Sequence, residues 1–446
     1  MTSRSGNEDK IILRYKFRIP WKLALIAALW RVHLMKFLTA ILLSCVTLAS
    51  AEQVGPWNLD ELKKAPSMKW VSQTTPVHSL LYTGETYLDK PTEVFAFYAS
   101  PLTLGAAKPG TKFPGVVLIH GGGGTAFAEW AYLWAKRGYA AIAMDLSGSR
   151  PPDPVFDPKT GVPKGHQSEA KERTRLPNGG PPHGAPEKFD SIGGSTSDDW
   201  PFHAAASAIR AHSLLRSFPE VQAENTAVTG ISWGGYTTCL VASLDDRFKA
   251  AVPVYGCGFL YEGESVQKPS IDRLGDRRAD WVREYDPSSL LPRCRVPILF
   301  VNGTNDIHYP LDSYMKSFNV VPGEKQMRIQ VNMPHGHPPG WAPQEIGLFI
   351  DSKCRAGLPL IVPGAPIVEG EQVKVSYTGG APLKVAKLHY TTDSGVRAKR
   401  TWKSVDAAIQ QGTVLAPKPP AEANTWFLTL TDERGAMVST TVQFQP

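Results

Sequence analysis

The chain has 446 residues, of which 42% are hydrophobic and 20% charged, with 48 basic against 41 acidic side chains. This length exceeds one ordinary domain, and the composition excludes the disordered, collagen-like and cysteine-rich classes. The net charge of +7 is concentrated at the start, because residues 1–51 hold eight basic and two acidic side chains. The remainder is nearly neutral and has no basic run interleaved with aromatics, so we expect no nucleic-acid partner.

The first 51 residues show the pattern of an export signal. After Met35 comes one lysine, then an apolar run over residues 37–48 and a small-residue cleavage site at 49–51. This predicts a natural start at Met35 and a signal peptide cleaved near Ala51, which would place the protein in the periplasm or outside the cell. A transmembrane anchor needs about 20 apolar residues, whereas the uncharged run over residues 37–50 has 14. We therefore expect no membrane span in the mature protein.

Cysteine usage leaves two interpretations open. Four cysteines lie beyond the signal segment, an even number that permits one or two disulfides in an exported protein. Their wide spacing matches no metal-binding framework, and buried free thiols are the equal alternative. Cys45, inside the signal segment, is a weaker candidate for lipidation, because apolar residues rather than a polar tether follow it. The four later cysteines are Cys239, Cys257, Cys294 and Cys354.

Between residues 113 and 354, short apolar runs alternate with longer segments of helical character. This alternation predicts an α/β domain, a mostly parallel sheet with helices on both faces. Two insertions interrupt it, one Pro- and Gly-rich at 147–197 and one charged and aromatic at 258–291, and loops of this length are usually lids or binding loops. The predicted strands are 115–121, 139–146, 226–231, 250–256, 296–303 and 327–333.

The C-terminal segment, residues 359–446, has a different character. Its short β-prone runs are punctuated by Pro and Gly, and the helical pattern stops near Cys354. We expect a small all-β sandwich that resembles an immunoglobulin or fibronectin type III module.

A G-x-S-x-G motif occupies residues 230–234, between a predicted strand and a predicted helix at 236–244. In such an elbow the serine sits on a tight strand-to-helix turn, which requires small neighbours. The motif alone is a weak signal, because short glycine patterns recur by chance. Its position between strand and helix strengthens it and makes Ser232 the candidate nucleophile for acyl transfer.

Four consecutive glycines, residues 121–124, follow the strand that ends at His120. Their backbone N–H groups, with no side chains around them, suit the stabilisation of an oxyanion. We expect Gly122 or Gly123 to supply one donor and the Trp233 N–H to supply the second. A flexible loop or a phosphate cradle is the alternative, but no G-K-[ST] sequence follows.

An acid and a base follow later strands. Asp306 could fix the tautomer of a histidine and stabilise its imidazolium, although an ordinary Asn-Asp turn is the alternative. One of His335 and His337 should reach Ser232 as general base, and we prefer His335 because its His-Gly step resembles the catalytic turn of related hydrolases. His-x-His could also bind a metal, but no third or fourth ligand is evident, so we expect no metal and no cofactor.

The chain order Ser232, Asp306, His335 is that of the α/β-hydrolase fold. The chain resembles secreted bacterial α/β-hydrolases of the acetylxylan-esterase-like, dienelactone-hydrolase-like and prolyl-oligopeptidase-like kinds. The resemblance covers about residues 113–354, and we expect the catalytic domain to span residues 52–358. Trp233 stands where the cephalosporin deacetylase type of acetylxylan esterase has Gln, which argues against xylan deacetylation. The motifs are His120-GGGGTAF, Asp199-WPFH, Gly230-ISWGG, Asp245-DRF, Val252-PVYG, Gly303-TND and Met333-PHGH.

The resemblance implies an exported serine carboxylic-ester hydrolase, acting on acyl (acetyl) esters of carbohydrates or on other small esters. Its partner would then be a small-molecule or carbohydrate ester substrate. One alternative is a serine peptidase of the prolyl-oligopeptidase type, but the roughly 60 residues before 113 cannot hold that family's propeller. Another is a non-catalytic binding or adhesion protein on a hydrolase scaffold, against which the intact Ser232, Asp306 and His335 argue.

Aromatic residues in the insertions or beside the triad could form a substrate rim for sugar or aryl groups. Packing is at least as good an interpretation, since buried aromatics are ordinary core residues. The substrate-binding candidates, besides Trp233, are Trp200, Phe202, Tyr261 and Trp341. By contrast, we expect structural or surface roles for His203, His212 and His308.

Overall fold

The structure is a computed structural model that describes residues 52–164, 173–184 and 188–445. The predicted signal segment and cleavage site, residues 1–51, lie outside the described residues. Within the described ranges, no helix combines the length and apolar character that a bilayer crossing requires.

Nine of the described strands form the central sheet. They are β1 Met68–Ser72, β2 His78–Thr83, β3 Glu93–Ala99, β4 Phe113–Ile119, β5 Ala140–Met144, β6 Val221–Ile231, β7 Ala250–Val254, β8 Ile298–Gly303 and β9 Lys325–Gln330. Their spatial order is β9-β8-β7-β6-β4-β5-β3-β2-β1. The six strands from β9 to β5 are parallel, and β3, β2 and β1 continue the sheet in antiparallel pairs.

Burial on both faces explains why these apolar runs become parallel strands. Every residue of β4, β5, β7 and β8 is buried, as expected for strands covered by helices on either side. The prediction of a mostly parallel sheet is therefore confirmed. The antiparallel strands β1 to β3 were not predicted. β1 has half-buried ends and three exposed residues between them, whereas β3 is buried at six of its seven residues but precedes the alternating pattern that begins at residue 113.

Helices cover both faces of the sheet. Helices α3 and α4 pack on each other and on β6, whereas α2 contacts β3 and β5, and α10 contacts β6 and β7. The second insertion contains α5, α6 and α7. The described α-helices are α1 Leu59–Leu62, α2 Ala128–Lys136, α3 Trp200–Ser217, α4 Trp233–Leu244, α5 Lys268–Asp272, α6 Arg278–Tyr285, α7 Pro287–Leu290, α8 Leu311–Val320, α9 His337–Trp341 and α10 Gln344–Cys354.

Ten further strands build the C-terminal segment. They are β10 Val362–Pro363, β11 Ile367–Glu369, β12 Gln372–Thr378, β13 Leu383–Thr391, β14 Lys403–Asp406, β15 Ala408–Gln410, β16 Thr413–Pro417, β17 Thr425–Asp432, β18 Met437–Ser439 and β19 Gln443–Phe444. One sheet has the order β10-β12-β16-β15 with β11 beside β12, and the other has β14-β13-β17-β18 with β19 beside β17. All these pairs are antiparallel, in keeping with the predicted β-sandwich.

The sandwich lies against the outermost strand of the central sheet. The Ile329 N–H of β9 donates to Ser439 Oγ at 3.0 Å, and the Met437 N–H donates to Glu345 Oε1 on α10 at 2.7 Å. Glu345 Oε2 also accepts a hydrogen bond from Arg328 Nε at 3.0 Å, and both side chains are buried. The sandwich is thus hydrogen-bonded to β9, the strand that precedes His335 in the chain.

Candidate active site

Ser232 sits on a strained turn between β6 and α4. Its backbone has φ 60° and ψ −119°, a conformation that a non-glycine residue keeps only when its surroundings enforce it. A Cβ on Gly230 would lie 2.2 Å from Gly234 O, and a Cβ on Gly234 would lie 2.0 Å from Ile119 O. The turn therefore requires glycine at both positions. Helix α4 begins at Trp233, three residues earlier than predicted.

Ser232, His335 and Asp306 form one hydrogen-bonded chain. His335 Nε2 lies 3.0 Å from Ser232 Oγ, and its Nδ1 lies 2.7 Å from Asp306 Oδ2. Asp306 is only 3% exposed, and its other oxygen accepts the N–H groups of His308 and Tyr309 at 2.8 and 3.0 Å. Because Nδ1 donates to the carboxylate, Nε2 presents its lone pair to the serine hydroxyl.

Aromatic neighbours fix the His335 ring. The Tyr255 ring stacks on it with centroids 4.5 Å apart, and the Tyr255 hydroxyl donates to Pro334 O at 2.6 Å. Burial raises the pKa of Tyr255, so the phenol stays protonated and remains a donor. His308 lies on another side at 4.7 Å, and burial together with the neighbouring His335 lowers the pKa of His308.

His337, the alternative base, points elsewhere. Its Nε2 accepts the Gly121 N–H at 2.9 Å. Burial, with smaller effects of His120 and His335, lowers the pKa of His337 to about 3, so this ring is neutral at physiological pH. The structure thus places His335, and not His337, within hydrogen-bond distance of Ser232.

The glycine loop lies directly against the elbow. A Cβ on Gly121 would be 3.0 Å from the Cβ of Ser232, and a Cβ on Gly122 would be 2.8 Å from Cδ1 of Trp233. Gly122 and Gly123 line the same cavity as Ser232 and Trp233. The predicted oxyanion donors therefore share one space with the serine hydroxyl.

That cavity has a volume of about 480 Å³, within the range of small-molecule sites. Both insertions contribute to its walls. The first supplies the cationic and aromatic pair Lys188 and Phe189, and the second supplies the polar pair Gln267 and Ser270. His308 lies between the second wall and His335, with its Nδ1 3.4 Å from Gln267 Nε2.

The sequence model of the Dienelactone hydrolase family matches residues 102–336, more than half of the chain. The chain belongs to the dienelactone hydrolase family. The matched segment runs from the connection between β3 and β4 to the residue after His335, so it includes Ser232 and Asp306. The predicted resemblance to α/β-hydrolases is confirmed.

The chain is similar to several solved structures. An acetyl xylan esterase from Paenibacillus sp. R4 aligns with a TM-score of 0.50 at 21% identity, over 66% of this chain and 92% of that one. Acetyl xylan esterase 1 from Thermoanaerobacterium sp. JW/SL YS485 gives 0.43 at 16% identity, over 64% and 91%. The acylaminoacyl peptidase of Pyrococcus horikoshii gives 0.43 at 18%, over 64% and 42%. At these identities, the Paenibacillus structure supports the fold alone.

In this member of the dienelactone hydrolase family, Trp233 lines the cavity around Ser232 as predicted, but the other four aromatic rim candidates do not. Trp200 is fully buried and donates to Leu146 O, and the buried Phe202 stacks on Trp57. Tyr261 lies under the Arg278 guanidinium, and Trp341 packs on Trp130 and lines a different cavity. The cavity around Ser232 has none of the four in its described lining. Aromatic composition does not distinguish core packing from a substrate wall.

Several residues that line the cavity were not predicted from the sequence. His183, Lys188, Phe189, Gln267 and Ser270 come from the insertions, and His308, expected to be structural or on the surface, lines it too. No local pattern marks such residues, because loops bring them together over long sequence distances. His203 and His212 are buried outside it, hydrogen-bonded to Ser197 O and to Asp245 and Thr226 respectively.

The four described cysteines are free and buried, so the buried-thiol interpretation is correct and the disulfide alternative is not. Burial raises the pKa of Cys294 to about 11 and that of Cys354 to about 12, which keeps both thiols protonated. Among the described residues, no group of three His, Cys, Asp or Glu side chains has the arrangement of a metal site.

Proposed function

We propose that this protein is a serine carboxylic-ester hydrolase that works through an acyl-enzyme. One observation carries the proposal: Ser232 Oγ lies 3.0 Å from His335 Nε2, and the other nitrogen of that ring lies 2.7 Å from the buried Asp306. A nucleophile, a base and a group that orients the base are the three parts that acyl transfer by serine needs.

Acylation follows from this geometry. Ser232 Oγ attacks the ester carbonyl while its proton passes to His335 Nε2, and Asp306 stabilises the imidazolium. The oxyanion accepts hydrogen bonds from the N–H groups of Trp233 and of Gly122 or Gly123. When the tetrahedral intermediate collapses, the bond to the alcohol oxygen breaks and the His335 proton moves to that oxygen. The alcohol leaves, and the acyl group stays on Ser232.

Deacylation repeats the steps with water. His335 takes a proton from a water molecule, which attacks the acyl carbonyl, and the second oxyanion uses the same donors. His335 then returns the proton to Ser232 Oγ as the acid leaves. No step requires an oxidant, a reductant or a group beyond the substrate and water.

The proposed substrates are acyl esters, including acetyl esters, of carbohydrates or other small alcohols. A cavity of about 480 Å³ has the size that holds a small ester. Gln267 and Ser270 give one wall hydrogen-bonding groups suited to hydroxyls, and Phe189 gives the other an apolar surface. One protein of the same fold is titled an acetyl xylan esterase, which fits this substrate class.

The decisive experiment is p-nitrophenyl acetate hydrolysis by wild type and Ser232→Ala. We expect turnover in the wild type and its loss in the variant, while Ser243→Ala, on the same helix but outside the cavity lining, retains it. Unchanged turnover in Ser232→Ala would remove the serine mechanism. Faster cleavage of peptide p-nitroanilides than of esters would favour the peptidase alternative, and a folded wild type inactive on all of them would favour the binding-protein alternative.

We also propose that the protein is exported. The support is the sequence from Met35 to Ala51, with its basic residue, apolar run and small-residue site. N-terminal sequencing of the protein recovered from the periplasm or medium should begin at Glu52. Recovery of an uncleaved chain from the cytoplasm would contradict export.

A further inference from the structure

Three side chains from three segments hold the backbone of the glycine loop. The Gly121 N–H donates to His337 Nε2 at 2.9 Å, and Gly121 O lies 2.7 Å from His120 Nδ1. Gly124 O accepts from Arg173 Nη1 at 2.6 Å. The two loop residues between these anchors are Gly122 and Gly123, which the proposed function uses as oxyanion donors.

The tautomer of His120 follows from its hydrogen bonds. Its Nε2 accepts the Leu146 N–H at 2.9 Å, so the ring proton is on Nδ1, which donates to Gly121 O. His337 has the complementary role, since a neutral ring whose Nε2 faces an N–H donor must accept there. Gly121 is thus held at its carbonyl by one histidine and at its amide by the other.

The His337 ring packs closely against the glycine loop and restricts its position. A Cβ on Gly121 would lie 3.1 Å from His337 Nε2, and a Cβ on Gly124 would lie 2.6 Å from the same atom. Phe127 packs on the imidazole with centroids 4.7 Å apart. The ring therefore lies across the loop and cannot shift toward Ser232 without losing the Gly121 contact.

We infer that His337 is a positioning residue for the reaction: by accepting the Gly121 N–H, it holds the loop so that the Gly122 and Gly123 N–H groups face the oxyanion. The inference rests on the proposed ester hydrolysis. The two histidines then have different roles. His335 transfers protons, and His337 positions the N–H donors that stabilise the negative charge of the oxyanion.

Such a residue acts on the transition state more than on substrate binding. Loss of one oxyanion donor lowers kcat by about 10²- to 10³-fold in other serine hydrolases. If the loop becomes more mobile but keeps its N–H donors, the loss should be smaller, about 10- to 100-fold in kcat. Because the ground-state carbonyl carries little charge, KM should change by less than about threefold.

The test compares His337→Leu, His337→Gln and His337→Asn by kcat and KM on p-nitrophenyl acetate. Gln can place an acceptor oxygen near the position of Nε2, whereas Leu has no acceptor and the shorter Asn does not reach. We expect kcat to fall in Leu and Asn, to recover at least partly in Gln, and KM to stay near its wild-type value. His203→Gln, at a buried histidine outside the cavity lining, is the matched control and should keep wild-type kcat.

A second measurement separates positioning from base catalysis. A trifluoromethyl ketone forms a hemiketal anion in the oxyanion site, so His337→Leu should bind it more weakly in proportion to the loss of kcat. The pH dependence of kcat/KM should keep its wild-type midpoint in that variant, because the general base is unchanged. If Leu does not fold, the Gln and Asn pair gives the same comparison.

Three results would overturn the inference: wild-type kcat in His337→Leu, an effect on KM alone, or loss of the acidic limb of the pH profile, which a general base sets, equally in Leu and Gln. These failures are distinct from failure of the proposed function. If the wild type hydrolyses the ester and Ser232→Ala does not, the serine mechanism stands whatever the His337 variants show.

Discussion

Asp306 holds His335 by one carboxylate oxygen and holds its own loop by the other. Oδ2 lies 2.7 Å from His335 Nδ1, while Oδ1 accepts two backbone N–H groups. The carboxylate is thus fixed before the imidazole binds to it, and the orientation of the base is determined by a backbone turn. Because the backbone turn fixes the side chain, the negative charge of Asp306 can be removed by substitution without changing the geometry of the loop.

Asp306→Asn should keep the shape and remove the charge. The amide cannot stabilise an imidazolium and favours the wrong tautomer of His335, so we expect kcat to fall by about 10⁴-fold with little change in KM. The measurement is steady-state hydrolysis of p-nitrophenyl acetate, with circular dichroism to verify folding. Asp406→Asn, at an exposed aspartate, is the control. Activity within tenfold of wild type in Asp306→Asn would exclude Asp306 as the orienting acid.

Gly234→Ala should destabilise the whole domain. Its Cβ would lie 2.0 Å from Ile119 O, a backbone atom of β4 that cannot move without disturbing the sheet. Overpacking of this kind costs about 1–3 kcal/mol or more, and the melting temperature or the soluble yield should report it. Gly395→Ala has open space around its Cβ and should melt like wild type. Equal melting temperatures for the two variants would show that the elbow has room for a Cβ at Gly234.

Glu345→Ala should loosen the bond between the sandwich and the central sheet. The change leaves the buried Arg328 without its carboxylate partner and leaves the Met437 N–H without an acceptor. Breaking a buried ion pair by removing one member costs about 3–5 kcal/mol, so the melting temperature should fall. Glu371→Ala, at an exposed ion pair, should have no measurable effect. A fall of similar size in both variants would contradict the special position of Glu345.

His389 should make the sandwich sensitive to acid. It is 8% exposed between Ser404 and Thr429, and burial lowers its pKa to about 4. An unfolded histidine titrates near 6.5, so between these values only the unfolded state gains the proton. The stabilising contribution is complete above pH 6.5 and is lost as the pH falls through about 4, at up to about 1.4 kcal/mol per pH unit.

Thermal melts of wild type and His389→Gln across pH 4 to 7 test this. The variant cannot titrate, so its melting temperature should fall less steeply toward acid. Ser404→Ala removes a partner but keeps the titration, and should lower the melting temperature equally at every pH. Parallel curves for wild type and His389→Gln would remove His389 from the acid sensitivity.

Four of the six strands predicted from the sequence, β4, β5, β7 and β8, are buried at every residue, and their runs are apolar because both faces are covered. The G-x-S-x-G pattern is constrained because a Cβ at Gly230 or Gly234 would collide with backbone. Such constraints act locally and are visible in local sequence. They identify where Ser232 lies and which strands surround it.

The features that the sequence did not indicate depend on contacts between residues far apart in the chain. The choice between His335 and His337 rests on which residue lies opposite each ring, Ser232 or Gly121, and neither is near in sequence. Trp200 looked suitable for a substrate wall, but its indole is directed into the core toward Leu146. Lys188 and Gln267 reach the cavity only because two insertions fold over it.

The bond between Ile329 and Ser439 has a consequence for how the chain behaves in solution. β9 is the last strand of a parallel sheet, and a bare strand of this kind offers its backbone groups to any other chain, which is a common route to aggregation. The sandwich occupies that position with β18 and with the Ser439 hydroxyl. A polypeptide ending near residue 358 would carry Ser232, Asp306 and His335 and yet leave the outer edge of β9 uncovered, so we expect it to aggregate more readily than the full chain.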